Sequence, residues 1–503
     1  MLRGYAVASQ LWHEQRLIDK ASEASVQQAD VTNRKHGTSA CMNSYSQSNF
    51  NMEMTKHVIT VILVLSALLY AVQCLTPLRL VNDSIVYLSI ATSAVDGHGF
   101  LYHGAPERYP LGYPAAIFTL VKCGIGRAWA FVGLNCLCLG LGLWTGYKVL
   151  RRLFFDTNRE PIVACILFLL SFVVIKHETQ MLSDIPYFGL STPSLWSLVW
   201  ASESTDSIQR IYRFSLGTCL VACSICIRTI GIALVPGVVL AVMAESGSAA
   251  NLLHRFREHR RAVTILLVFL GIALLGTISR STYLRMALAT YRDRGLLNSL
   301  MVLVHSRLSE WGEVAINIPS HMLPRFSASL VPVIGLFSMG MVVGGLWLRR
   351  DRASVVDVYT ICYLVILSFT PWADSRYLLP LLLFAISYAV ICLKSISRPP
   401  LARLVIGGYS ALFCVLGLTA LAYSTRLSLS GSKFPQVYGD GLLRATYRTA
   451  FNPREEFPRD QINEDALYLL QRYEPRAFWN RSTSEHDSEN AGRDQKQFGN
   501  GKT

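Results

Sequence analysis

The sequence predicts an all-α protein that crosses a membrane many times, with about eleven transmembrane helices. Of its 503 residues, 51% are hydrophobic and only 16% are charged, whereas about 25% of residues are charged in ordinary soluble domains. Apolar runs long enough to span the hydrocarbon core recur from about residue 57 to residue 423. A soluble helical protein would instead alternate apolar and polar residues at helical period, so the composition disfavours that class.

Hydrophobicity alone divides the chain into three regions. Residues 1–55 are polar, rich in Ser, Gln and Asn, and predict a disordered cytoplasmic tail, with Met52 or Met54 as an alternative start. Residues 56–423 form the multi-span region, and 424–503 are expected to be a short outward-facing tail with one amphipathic stretch, Glu464 to Tyr473. The predicted spans are 57–75, 128–149, 161–176, 185–201, 211–226, 230–243, 262–280, 326–348, 355–371, 376–393 and 403–423.

The net charge of +14 is distributed in short clusters between the apolar runs. If the N-terminus is cytoplasmic, alternation of the spans places most of these clusters on the inner side, as expected because basic residues resist translocation. The charge therefore indicates topology and disfavours a nucleic-acid partner. The clusters are Arg151–Arg152, Arg210 with Arg213, Arg255 to Arg261, Arg349 to Arg352, and Lys394 to Arg403.

The twelve cysteines do not predict a disulfide framework, because most of them lie inside apolar runs, where a free cysteine behaves as a small hydrophobic residue. Cys223 and Cys226 form a lone C-x-x-C within a predicted span, without a second pair or a histidine. That spacing alone is a weak indication of a redox or zinc site.

The loop after the first span contains a Y-P-L-G-Y-P turn, Tyr109 to Pro114. Two prolines and a glycine favour a sharp turn. The following segment, 113–125, is apolar but too short to span a bilayer, so we expect an interfacial helix there.

Ionisable residues beside the hydrocarbon are the first candidates for a functional site, because they are costly to place there. In the predicted topology several of them meet at the outer face. Carboxylates next to arginines suit a phosphate-bearing substrate, since they supply a base or metal ligand beside cationic anchors. These residues are Asp83, His98, His103, Glu107, Arg108, His177, Glu178, Asp184, Arg228, Asp374 and Arg376.

The order of these short motifs resembles the GT-C superfamily of membrane glycosyltransferases over about residues 57–395. The matching features are Asp83 just after the first span, the Y-P-L-G-Y-P turn, S-D-I-P at Asp184, R-T-I-G at Arg228, and R-Y-L-L-P at Arg376. The similarity is greatest to the bacterial group of aminoarabinose transferases, protein O-mannosyltransferases and rhizobial lipopolysaccharide glycosyltransferases. It implies a bacterial inner-membrane protein with its N-terminus in the cytoplasm and its C-terminus in the periplasm.

The resemblance implies transfer of a sugar from a polyprenyl-phosphate carrier to a lipid, glycan or protein acceptor, with inversion at the anomeric carbon. By position Asp83 matches the family's catalytic acidic residue, as general base, and Asp184 matches its second catalytic acidic position, which orients the acceptor or helps to hold a divalent metal. Together they are the candidate ligands of a divalent metal, Mg or Mn, although Asp83 stands where relatives have an acidic pair. Arg376, Arg228 and Arg108 are candidate phosphate anchors. His103, Tyr109 and Glu178 are candidate contacts to donor or acceptor.

Three alternatives remain at this stage. Asp83 and Asp184 also suit the first turn of a helix, which favours acidic residues. A transporter or flippase for a lipid-linked or anionic substrate is the main alternative function, although transporters tend to show internal repeats and ionisable groups near mid-membrane. A polysaccharide polymerase or ligase would use arginines of the long outer loop, 281–325, which contains Arg285, Arg292, Arg294 and Arg307.

Overall fold

The computed structural model describes residues 58–106, 109–204, 206–246, 296–370, 372–396, 399–439, 441–452 and 457–474. The chain divides into two compact units. The first takes in 1–65 and 242–260, of which 58–65 and 242–246 are described, both helical. The second takes in 66–241 and 261–503 and contains every candidate site residue.

The described chain is almost entirely helical, with a single two-stranded hairpin, β1 (Leu101–Tyr102) and β2 (Ala105–Pro106), in the described residues. The helices, in chain order, are α1 (Val58–Gln73), α2 (Asn82–Val95), α3 (Gly112–Lys122), α4 (Ala128–Leu153), α5 (Arg159–Leu169), α6 (Phe172–Glu178), α7 (Asp184–Ser202), α8 (Ser207–Ile227), α9 (Val235–Ser246), α10 (Leu296–Ile316), α11 (Arg325–Leu348), α12 (Val355–Ser368), α13 (Leu379–Ile396), α14 (Pro399–Ser428), α15 (Leu442–Phe451) and α16 (Glu464–Tyr473).

Five helices of the described chain are long and apolar enough to cross a membrane, which identifies an integral membrane protein. They are α4, α8, α11, the helix Ser375–Ile396 that includes α13, and Pro400–Ser428 of α14. Helices α5 and α6 meet the same criteria together, bent by 57°. Shorter apolar helices lie at Val58–Gln73, Thr229–Ala241 and Val355–Ser368, where further spans are predicted.

Two of the predicted spans are not among these helices. The span predicted at 185–201 corresponds to α7, which is buried along most of its length by its neighbours. The span predicted at 262–280 lies outside the described residues. The total of eleven spans therefore stays a prediction, as does the interfacial position of α3.

Helix α10 occupies part of the segment that the sequence predicts as a long outer loop. It packs closely on α11 because glycine lies at the contact: a Cβ atom on Gly335 would stand 1.7 Å from the carbonyl oxygen of Leu308. The charged residues that lower its hydropathy include Arg307 and Glu310, which form a buried ion pair of 2.6 Å. This segment therefore forms a packed helix although its sequence contains many polar residues.

Basic residues and tryptophans gather at one end of the helices. Arg349 donates to the carbonyl of Leu153 at the end of α4 (2.5 Å), and Arg152 pairs with Glu203 after α7 (2.8 Å). The site residues lie at the other end, because Asp184 begins α7 and Arg228 follows α8. Cation–π pairs at the basic end are Lys148 with Trp144, Arg213 with Trp200, and Arg350 with Trp347. Which end faces the cytoplasm stays a prediction from the distribution of basic residues.

The extended segment 76–81 enters α2 and is held on both sides. One side forms a parallel bridge between Arg79 and Gln180. On the other side, the backbone N–H of Leu78 donates to Glu474 Oε2 (2.9 Å). The hydroxyl of buried Tyr447 accepts from the N–H of Leu80 (2.8 Å) and donates to the carbonyl of Leu78.

Helices α15 and α16 fold back onto the chain around α2. Buried Arg79 donates to Ser428 (2.6 Å) at the end of α14, and Thr92 of α2 is 2.9 Å from the hydroxyl of Tyr473. Arg472 binds Asp96 through two hydrogen bonds of 2.6 and 2.8 Å, which lower the pKa of the Asp96 carboxyl. The predicted amphipathic stretch is helix α16, and much of the region predicted as a polar tail is folded.

Replacing Tyr447 with Phe is expected to destabilise the protein, because two buried backbone groups of segment 76–81 lose their partner at a cost of about 1–3 kcal/mol. Thermal unfolding of the purified protein in detergent should show a transition several degrees lower, by roughly the shift that such a loss produces. The control is Tyr423→Phe, at an exposed position of α14. Equal transitions for the two variants would contradict the structural role of Tyr447.

Candidate functional site

Asp83 lies in the first turn of α2, directly after segment 76–81. The turn is fixed by Ser84, whose hydroxyl accepts from the N–H of Val81 (2.6 Å) and donates to its carbonyl (2.7 Å). Asp83 makes no cap of this helix. Its Oδ2 instead accepts from Arg376 Nη2 at 2.5 Å, and its Oδ1 accepts from the hydroxyl of Tyr109 at 3.0 Å. The carboxylate is therefore oriented by a cation and a phenol, and its side chain is 25% exposed.

Arg376 lies in the one-turn helix Ser375–Leu378 that precedes α13. Asp374 begins this turn, with Oδ1 accepting from the backbone N–H of Arg376 (3.0 Å) and Oδ2 lying 3.1 Å from its Nε. Burial raises the pKa of the Asp374 carboxyl, but the charges of His177 and Arg376 outweigh it and leave the pKa below its ordinary value. Arg376 is thus held between two carboxylates.

A second ion pair joins the beginning of α7 to the end of α8. Asp184 is in the first turn of α7, and Arg228 is the extended residue at which α8 ends. The guanidinium of Arg228 contacts Asp184 Oδ1. Their side chains are only 12% and 2% exposed, so this pair is more buried than Asp83–Arg376. Breaking a pair so enclosed leaves an uncompensated charge, which is costly.

The ring of Tyr377 connects the two ion pairs. The guanidinium carbon of Arg228 lies 5.0 Å from the ring centroid, and that of Arg376 lies 5.3 Å from it. These are cation–π distances. Two arginines, each bound to a carboxylate, therefore flank one aromatic ring at the same end of the helices.

The Y-P-L-G-Y-P turn packs against both α2 and the end of α8. Gly112 packs against the backbone just before Arg228: a Cβ atom there would lie 2.6 Å from the carbonyl oxygen of Cys226. Tyr87 of α2 meets the edges of Tyr109 and Tyr113 at centroid distances of 5.2 and 5.4 Å. Its hydroxyl is 3.2 Å from that of Ser183, next to Asp184.

Of the predicted site residues, Asp83, Tyr109, Arg376, Asp184 and Arg228 come together. His103 does not join them; it is exposed and contacts Asp465 of α16 at 3.1 Å. Glu178 is fully buried at the end of α6, where it accepts from the thiol of Cys136 (2.7 Å). Arg108 lies outside the described residues.

Two features of the site are not evident from the sequence. Tyr377 belongs to the R-Y-L-L-P motif, but only the structure shows that its ring lies within cation–π distance of two arginines. Arg307 of α10 donates to the carbonyls of Thr370 (2.7 Å) and Trp372, so it supports the segment that carries Asp374. Its guanidinium also pairs with Glu310, whereas Arg285, Arg292 and Arg294, the other arginines named for a polymerase or ligase, lie outside the described residues.

The arrangement of donors does not fit a divalent metal. Both oxygens of Asp83 are bound, by Arg376 and Tyr109, and Asp184 is bound by Arg228. A hard cation prefers several free oxygen ligands, and no group of three or more His, Cys, Asp or Glu residues within the described ranges could hold one. A resident metal is therefore not assigned to any step.

The sequence matches no family model and no curated protein sequence. Among solved structures, ArnT from Cupriavidus metallidurans in the apo state is similar at a TM-score of 0.49 and 12% identity, over 84% of this chain and 85% of that one. The oligosaccharyltransferase AglB from Archaeoglobus fulgidus, in complex with an inhibitory peptide and a dolichol-phosphate, gives 0.41 and 12%, over 81% and 61%. Arabinofuranosyltransferase AftD from Mycobacteria gives 0.35 and 19%, over 76% and 27%.

Replacing Gly112 with Ala is expected to separate the Y-P-L-G-Y-P turn from the end of α8, because the added methyl group meets the Cys226 backbone. Overpacking of this kind costs about 1–3 kcal/mol, so thermal unfolding should occur at lower temperature. The matched control is Gly133→Ala in α4, where a Cβ atom meets nothing within 4 Å. If both variants unfold like the wild type, the close approach does not matter to the fold.

Proposed function

We propose that this chain is a membrane glycosyltransferase. It moves a sugar from a polyprenyl-phosphate donor to a hydroxyl of a lipid, glycan or protein acceptor, with inversion, at the outer face of a bacterial inner membrane. The observation that supports this most directly is the ion pair of Asp83 with Arg376. It lies beside a second, more buried carboxylate–arginine pair at one end of a set of membrane helices.

Asp83 is the general base of the proposed reaction. Its carboxylate is oriented by Tyr109 and is partly exposed, so an acceptor hydroxyl can reach it. The hydroxyl oxygen attacks the anomeric carbon while its proton passes to the Asp83 carboxylate. The bond from that carbon to the phosphate oxygen breaks, and the electron pair leaves with the lipid phosphate. This leaving group needs cations more than a general acid.

Arg376 is the proposed anchor for the donor phosphate. A guanidinium binds phosphate and carboxylate through the same forked geometry, so the donor phosphate competes with Asp83 for Arg376. When the donor binds, the phosphate takes over the guanidinium, and the Asp83 oxygen that bound Arg376 becomes free for the acceptor hydroxyl. Binding of the donor therefore also frees the proposed base.

Arg228 is the second proposed anchor, and Asp184 positions it. Because Asp184 is almost fully buried and bound to Arg228, we assign it the role of fixing the guanidinium. Both Arg228 and Arg376 lie at cation–π distance from the ring of Tyr377. Two cations held at this spacing could stabilise the charge that develops on the leaving phosphate.

The alternative is a transporter or flippase for a lipid-linked or anionic substrate. Ion pairs such as Asp83–Arg376 also occur in transporters, and a phosphate that displaces Asp83 would serve substrate binding in either class. No observation in the described part of the chain favours transport over transfer. A measurement of covalent sugar transfer separates the two.

Replacing Asp83 with Asn is expected to lower sugar transfer at least about a hundredfold, because the amide cannot accept the proton. Membranes with wild type or variant at matched expression would receive a panel of labelled polyprenyl-phosphate sugars, and labelled product would be measured. The matched control is Asp460→Asn, at an exposed position. Equal transfer by Asp83→Asn would remove this residue from the mechanism, and no transfer by the wild type with any donor would favour the transporter.

Replacing Arg376 with Lys keeps the charge but removes the forked donor pair, so donor binding and leaving-group stabilisation should both weaken. We expect kcat/KM for the donor to fall about a hundred- to a thousandfold, the loss found when one hydrogen-bond donor is removed from a site that stabilises developing negative charge. Arg352→Lys, at the opposite basic end, is the control. Unchanged kinetics in Arg376→Lys would contradict its role as phosphate anchor.

A further inference from the structure

Two cysteines from distant parts of the sequence are in contact beside the site. Cys74 follows the end of α1, and Cys136 lies in α4; their Sγ atoms are 3.6 Å apart. Neither is fully buried. A disulfide has a sulfur–sulfur bond of about 2.05 Å, so the two thiols need to approach by only a small further distance to form one.

A buried carboxylate completes this cluster. The thiol of Cys136 donates to Glu178 Oε1 at 2.7 Å. Glu178 is fully buried, and its second oxygen, Oε2, has no hydrogen-bond partner among the described residues. The proposed transfer reaction makes no use of Glu178. Because it contacts one thiol of a thiol pair, Glu178 is placed to take that thiol's proton when its carboxyl is ionised.

We propose that Cys74 and Cys136 form a reversible disulfide, with Glu178 as the proton acceptor for the Cys136 thiol. The structure holds the pair in its reduced form. The proposal does not depend on the glycosyltransferase assignment, because it concerns the chemistry of these three side chains alone.

The oxidant in this step is a disulfide, either a small molecule or a thiol oxidase. The Cys74 thiolate attacks one sulfur of that disulfide, forms a mixed disulfide and releases one thiolate. Cys136 then gives its proton to Glu178 and attacks Cys74 Sγ, which breaks the mixed disulfide and releases the second thiolate. The two released thiolates take up the protons lost by Cys74 and, through Glu178, by Cys136. Two protein thiols are thereby oxidised to one disulfide, and the oxidant's disulfide is reduced to two thiols.

The place of the pair in the fold gives the bond a consequence. Cys74 immediately precedes segment 76–81, which leads to Asp83, and Glu178 is close in sequence to Gln180, which bridges that segment. The bond would tie the end of α1 to α4. This end of the helices is the one predicted to face outward, where disulfides persist because the compartment is oxidising.

The test treats the purified full-length protein in detergent with hydroxyethyl disulfide, blocks remaining thiols, and identifies cross-linked peptides by mass spectrometry. The expected product joins Cys74 to Cys136, with loss of two hydrogens, and is reversed by dithiothreitol. The matched control is Cys138→Ser, in the same helix, which should cross-link like the wild type. Absence of the product in both proteins, or a product joining Cys74 to Cys138 instead, would overturn the pairing.

The role of Glu178 is tested by the rate of cross-linking. In Glu178→Gln the bond should form about tenfold more slowly at mildly alkaline pH, where the wild-type carboxyl ionises, and the difference should shrink at neutral pH, where burial keeps that carboxyl protonated. A merely structural role would not make the defect depend on pH. Equal rates at mildly alkaline pH, in a variant that elutes from size-exclusion chromatography like the wild type, would remove Glu178 from the step while leaving the pairing intact.

Discussion

The guanidinium of Arg376 bound to the Asp83 carboxylate is the constraint on which the site depends. The two residues are 293 positions apart, so their pairing joins the segment after the first helix to a late helix of the chain. Both charges lie in a partly enclosed setting, where each alone would be costly and the pair is tolerated. Asp374, Tyr109 and Tyr377 fix the orientation of the two partners. Asp184 and Arg228 form a second carboxylate–arginine pair, and the guanidinium of Arg228 also lies near the ring of Tyr377.

Segment 76–81 shows how this constraint is supported from outside the membrane helices. Its backbone groups are bound by Glu474 and Tyr447, and Arg79 is bound by the end of α14. Helices α15 and α16, at the far end of the sequence, therefore hold the residues immediately before Asp83. A region that the sequence predicts to be a polar tail therefore helps to hold the segment that precedes the proposed base.

The sequence predicts the members of the site better than their partners. Alternation of apolar spans places helix ends with Asp83, Asp184, Arg228 and Arg376 at one face, and the structure brings these four together with Tyr109. It does not reveal which acid binds which arginine, since that depends on how the helices pack. His103 has a suitable position in the loop, but the fold of α16 directs it to Asp465.

The hydropathy of the sequence does not predict α10 or the packing of the C-terminal helices, and the physical reason is the same for both. Their polar residues are buried in pairs or bound to backbone, as Arg307 is with Glu310 and Tyr447 is with segment 76–81. A scale that scores residues singly counts these groups as solvent-exposed. The resemblance to the GT-C superfamily indicates the charged motifs but carries no information about segments that lie outside them.

The proposed exchange of Asp83 for the donor phosphate at Arg376 can be measured through lipid binding. The binding of undecaprenyl phosphate to the purified protein in nanodiscs would be measured by native mass spectrometry for wild type, Asp83→Asn and Asp460→Asn. The account predicts that Asp83→Asn binds the lipid more tightly than the other two, because its Arg376 no longer has a competing carboxylate. Equal or weaker binding by Asp83→Asn would contradict the exchange.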